Sequence, residues 1–128
     1  MDISHLHLHV RDRRRSVAFY RDWFGVATRN EDDAITFMTG DRDFLLALMD
    51  DPAPAPAPPW FHFGVRLESF AKVRELHAAM QSAGVPIVKA LAQLDTIASF
   101  RCADPDGYAI EVYCERPLTR SDRAGERT

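Results

Sequence analysis

Apolar and polar residues alternate strictly over residues 2–10, DISHLHLHV. Leu6, Leu8 and Val10 fall on one side and His5, His7 and His9 on the other, which predicts a half-buried strand. The period then lengthens. In RRRSVAFYRDWF, Val17, Tyr20 and Phe24, flanked by Phe19 and Trp23, make a helical stripe, with Asp12 as the cap and Gly25 as the stop. A short strand is expected at 27–29, and a hairpin pairing 35–39 with 44–49 around Gly40-Asp41-Arg42-Asp43.

The segment 51–59, DPAPAPAPP, holds five of the eight prolines. It predicts an extended polyproline linker of about 3 Å per residue. The pattern then begins again. WFHFGVRL, 60–67, alternates as a strand. Ser69 caps a helix striped by Val73, Leu76, His77 and Met80, and Gly84 stops it. A strand is expected at 85–88, then a hairpin over 98–114. Its turn is Asp104-Pro105-Asp106-Gly107, in which Pro presets φ, Asp bonds its own backbone and Gly accepts positive φ. Pairing 104 with 108 sets Cys102 against Ile110, residue 98 against Cys114, and Arg101 against Glu111. On the last strand Ile110, Val112 and Cys114 share one face, and Glu111 and Tyr113 the other. A carboxylate within so apolar a strand requires a partner.

Each half therefore reads strand, helix, three strands. The fold class expected is α+β: two βαβββ modules forming a cup-shaped mixed sheet with helices on the outside. One domain over 1–115 follows, with module one at 1–50, the linker at 51–59, module two at 60–115, and a disordered tail at 116–128. By alternation the cup is lined by His5, His7 and His9; Thr36 and Met38; Leu45, Ala47 and Met49; His62, Gly64 and Arg66; Ser99 and Arg101; and Glu111 and Tyr113. Leu45, Met38 and Met49 supply an apolar wall.

Composition narrows the function classes. The chain has 128 residues, and its net charge of −3 gives no electrostatic footprint for nucleic acid or an anionic membrane. The basic run at 11–15 reads as a solvated charged turn. No apolar run approaches the roughly 18 residues that span a bilayer, and the first residues lack a signal-peptide pattern. The two cysteines are expected as free core thiols in a reducing cytoplasm.

The residues in order, His5 with Leu8 and Val10, Asp12, Ser16, Phe19-Tyr20, Gly25, then His62 with Val65, Gly84, and Asp104-Pro105-Asp106-Gly107 with Glu111, resemble the vicinal oxygen chelate superfamily. That superfamily includes glyoxalase I, fosfomycin-resistance enzymes, bleomycin-resistance proteins and extradiol dioxygenases. The resemblance covers about residues 3–114. It implies one divalent metal held by His5, His62 and Glu111, a 2-His-1-carboxylate set that leaves positions open for two substrate oxygens. Such a set suits Fe(II) or Mn(II), with Zn(II) and Ni(II) as alternatives.

It further implies a metal-dependent lyase, transferase or dioxygenase acting on a small anionic substrate by stabilising an oxyanion or enolate. Arg101 departs from the family pattern, in which Tyr is common; by its own chemistry it would orient the anion or else neutralise Glu111, while His7, with no matched family role, would serve as acid–base group and Tyr113 would touch substrate. The position of the fourth glyoxalase I ligand holds Ala47, which points to a dioxygenase-like subfamily rather than a true glyoxalase I. Relatives of this length usually form homodimers, often with cups shared between chains. The competing reading is a metal-free, bleomycin-resistance-like protein that sequesters a ligand.

Overall fold

The computed structural model describes residues 1–117; the expected tail beyond residue 117 lies outside the described residues. The chain forms two βαβββ modules, each a four-stranded mixed sheet packed against a helix. It divides into two compact units, one of Met1–Ala57 with Pro105–Gly107, the other starting at Pro58 and omitting that turn.

In the first unit the order is β1 (His5–Val10), α1 (Arg13–Phe24), β2 (Ala27–Glu31), β3 (Ile35–Thr39) and β4 (Leu45–Asp50). The spatial order is β1-β4-β3-β2, with β1 parallel to β4 and the other pairs antiparallel. The Asp12 carboxylate accepts from the Arg14 and Arg15 backbone N–H groups, and Gly25 ends α1 at φ 68°, a left-handed conformation that suits glycine. The buried stripe of α1 is Ser16 and Tyr20, with Val17 and Phe24 only half covered.

Register decides which residues share a face. His5, His7 and His9 stand beside Leu45, Ala47 and Met49, which stand beside Thr39, Phe37 and Ile35. Thr36 and Met38 therefore belong to the opposite face, where they are fully buried with Leu8, Val10 and Leu48. This corrects the expectation that Thr36 and Met38 line the histidine face with Met38 in an apolar wall; Phe37 stands there instead. The cause is that β3, ITFMT, carries large apolar side chains on both faces, so alternation alone does not set its parity.

The basic run at 11–15 is also more than a solvated turn. The Arg13 guanidinium donates to Asp50 Oδ2 at 2.7 Å, to the Asp33 and Asp32 carbonyls at 2.8 and 3.0 Å, and to Thr36 Oγ1 at 3.2 Å. It braces an acidic cleft of the first unit that is lined by Asp12, Glu31, Asp32 and Asp50, and none of the three β1 histidines lines that cleft.

The second unit repeats the plan with β5 (His62–Arg66), α2 (Phe70–Ser82), β6 (Ile87–Gln93), β7 (Ile97–Ala103) and β8 (Ala109–Glu115), ordered β5-β8-β7-β6. Ser69 caps α2 through Lys72 N–H, and Val73 and Met80 are its buried positions. His77 packs edge-on against the buried Phe100 ring. β6 is longer than its sequence suggests, and irregular pairing to β7 at two points explains its weak alternation. The hairpin register is as expected, Cys102 opposite Ile110 and Ala98 opposite Cys114. Both cysteines are free and buried, and burial pushes the Cys102 thiol up to about 12. Among the described residues no helix is long and apolar enough to cross a membrane.

The hairpin turn is closed by Asp104. Its backbone N–H donates to the Tyr108 carbonyl at 3.0 Å, and its Oδ1 accepts from Tyr108 N–H at 2.9 Å. Gly107 takes φ 88°. Asp106 has a different task, within the first unit. Its carboxylate accepts from Arg11 N–H at 3.0 Å and Ser16 Oγ at 3.3 Å, with Arg15 at 3.7 Å. That side chain is only 1% exposed. Asp106→Ala is expected to destabilise the fold by about 1–3 kcal/mol, the cost of leaving buried donors unpaired. Urea denaturation at neutral pH measures it; a shift below a few tenths of a kcal/mol contradicts this role.

Candidate functional site

In the second unit, β8 runs between β5 and β7, so three strands contribute to one exposed face. Gly64, Glu111 and Arg101 stand in one row; Arg66, Tyr113 and Ser99 stand in the next; His62, Ala109 and Ala103 stand in the row before. The opposite face, Phe63, Val65, Ile110, Val112, Phe100 and Cys102, packs inward. The sheet thus raises His62, Glu111, Arg101 and Tyr113 on one side because their neighbours in sequence are core residues.

The side chains at this face are specifically oriented. His62 Nδ1 lies 3.1 Å from the Trp60 carbonyl oxygen. A carbonyl only accepts, so Nδ1 carries the proton and Nε2 presents its lone pair. Arg101 Nη2 donates to that Nε2 at 3.3 Å. Glu111 Oε2 lies 3.6 Å from the same nitrogen, with the His62 and Glu111 side chains 32% and 26% exposed. Arg101 stands across the ladder from Glu111, yet its hydrogen bond goes to His62, and its own Nε is sealed from solvent without a partner.

Tyr113 is fixed from two sides. A Cβ on Gly64 would meet its Cε1 at 3.1 Å, so the ring occupies space that only glycine leaves open. The Arg66 guanidinium lies over the ring, 5.5 Å from its centroid. The Tyr113 hydroxyl and the Glu115 carboxylate beside it raise the Arg66 pKa above its ordinary value.

In the first unit, His5, His7 and His9 stand exposed along β1. His5 Nδ1 is 3.3 Å from Ser4 Oγ. The His7 and His9 rings meet edge to face at 5.1 Å, and His9 Nδ1 binds Asp51 Oδ2 at 2.9 Å. That bond and the Ala53 N–H hold the Asp51 carboxyl below its usual range. Ala47, beside His7 in the ladder, offers no ligand atom.

Among the sequence-expected residues, His62, Glu111 and Arg101 come together. Among the described residues, no three His, Cys, Asp or Glu side chains converge as a group able to hold a metal. The His62–Glu111 pair nonetheless suits a cation. A neutral imidazole whose other nitrogen donates to a backbone carbonyl is the ligand state in which metal-bound histidine is held, and a carboxylate flanks its Nε2. Sequence reasoning missed the Trp60 carbonyl, because a backbone acceptor leaves no residue-type signal. It missed the Arg101–His62 bond, because cross-strand pairing names the opposite residue and not the diagonal one. Gly64 did carry a signal: a lone glycine inside a strand marks a close approach.

The family model for the Glyoxalase/Bleomycin resistance protein/Dioxygenase superfamily matches residues 2–112. No curated protein matches the chain. Among solved structures, a "possible Glyoxalase" from Bacillus cereus is 27% identical at TM-score 0.79, covering 89% of this chain and 99% of that one. The fosfomycin resistance protein FosX from Listeria monocytogenes is 18% identical at TM-score 0.76, covering 96% and 98%. A lactoylglutathione lyase from Agrobacterium tumefaciens is 22% identical at TM-score 0.71, covering 88% and 92%.

Gly64→Ala is expected to displace the Tyr113 ring and undo its stacking under Arg66, at about 1–3 kcal/mol of stability from overpacking. Thermal denaturation and a crystal structure of the variant measure this; an unmoved ring with unchanged stability contradicts the packing account.

Proposed function

The chain belongs to the Glyoxalase/Bleomycin resistance protein/Dioxygenase superfamily, and we propose that it is a divalent-metal-dependent enzyme of that superfamily acting on a small anionic substrate. The observation that carries this reading is the orientation of His62. Its Nδ1 is held by the Trp60 carbonyl, so its Nε2 lone pair is offered beside the Glu111 carboxylate.

On this reading His62 and Glu111 hold the ion together with His5, and Fe(II) or Mn(II) suits the two-imidazole, one-carboxylate set. His62 and Glu111 share one unit while His5 lies on β1 of the other. A homodimer in which His5 of one copy completes the pair of its partner satisfies this division. When bound, the metal supplies Lewis acidity toward two adjacent substrate oxygens. The chain's own side chains do the remainder. Arg101 presents a fork matched to a carboxylate or phosphonate. Tyr113, its ring fixed over Gly64, places its hydroxyl at the same face. On this reading His7 serves as the acid–base group. Ala47 gives no fourth carboxylate, which favours dioxygenase-like over glyoxalase I chemistry.

A second reading, metal-free sequestration of an anionic ligand, draws support from the Arg101 guanidinium standing on the ligand nitrogen of His62. Metal analysis separates the two. Purified wild-type protein is expected to hold close to one divalent ion per chain after loading with Mn(II), and His62→Ala to lose at least tenfold in affinity. A folded wild-type protein that binds no divalent ion refutes the metalloenzyme reading.

A further inference from the structure

We propose that Arg101 is an exchangeable partner of His62: it donates to His62 Nε2, competes with the metal for that nitrogen, and is released by the metal to bind the substrate's anionic group. This rests on the metal-site reading above and adds to it an order of events.

The geometry supplies the argument. An imidazole nitrogen has one lone pair, and the Arg101 N–H donor at 3.3 Å occupies it. A metal and a guanidinium donor cannot share that lone pair, so coordination of His62 requires the Arg101 bond to break. The exchange is chemically matched. Glu111 and the His62 lone pair form an electron-rich corner suited to a cation, and among the described residues the Arg101 guanidinium is the side-chain cation bonded to His62.

The pose bonded to His62 is also a poor one for arginine. One bond is made to His62, at the long end of the hydrogen-bond range, while Nε is sealed from solvent with no partner. Arginine gains most from paired, charge-assisted bonds to a planar anion. Displaced from His62, the guanidinium has its donors available for a carboxylate or phosphonate on the same face. Metal occupancy thereby prepares the anion site, and the coupling is reciprocal.

The test uses full-length protein. Isothermal titration with Mn(II) compares wild type with Arg101→Met, and Arg101→Gln serves if the first variant does not fold. In parallel, the Arg101 Nε–H resonance of wild-type protein, identified by its absence from the variant, is followed as diamagnetic Zn(II) is added. The expected results are about tenfold tighter Mn(II) binding by the variant, the scale of one charge-assisted hydrogen bond, and a stoichiometric shift of the Nε–H signal with Zn(II). Equal Mn(II) affinity with an unmoved Nε–H signal overturns the exchange while leaving the metal site intact. Binding by the variant alone makes Arg101 a permanent occupant and overturns the exchange as well. Binding by neither protein removes the metal reading and this inference together.

Discussion

The parallel pairing of β5 with β8 is the constraint on which the site of the second unit depends. His62 is in register with Ala109, two residues short of Glu111, so its imidazole reaches along the strand to the carboxylate. Arg101 reaches the same nitrogen from β7, across β8. A slip of one residue in either ladder would turn Glu111 toward α2 and Val112 outward. The buried alternation of Phe100, Cys102, Ile110 and Val112 forbids that slip, since it would expose four core side chains and bury charges. The chemistry of the exposed face is in this sense enforced by the apolar face behind it.

Local polar bonds then refine what the ladder positions. The Trp60 carbonyl selects one tautomer of His62, and Gly64 leaves room for the Tyr113 ring that Arg66 covers. The turn after β7 is closed by Asp104, while Asp106 spends both carboxylate oxygens on the start of α1 and its approach strand. Two aspartates two residues apart thus perform unrelated tasks, and Gly107, at positive φ, completes the turn that follows them.

Most of this architecture was legible from alternation and turn chemistry. The hairpin from β7 to β8 was fixed to the residue by Asp104-Pro105-Asp106-Gly107, and both helices by Asp12, Gly25 and Ser69. Legibility failed where a strand carried bulky side chains on both faces, as in β3, where Phe37 and not Met38 joins the histidines. It failed also where pairing is irregular, as in β6. The residues at the site were visible as types on a face, but their partners were not. A diagonal bond such as Arg101 to His62, or a backbone acceptor such as Trp60, depends on rotamers and chain direction that residue spacing does not encode.

The central claim is that His62 and Glu111 are two of the three ligands of a metal-binding set. Anomalous diffraction from crystals soaked in Mn(II) tests it most directly, because it locates the ion against named atoms. The account predicts a peak within bonding distance of His62 Nε2 and a Glu111 oxygen, with the Arg101 guanidinium moved off the imidazole. An absence of any peak at His62 under saturating Mn(II), with Arg101 still bonded to Nε2, contradicts it.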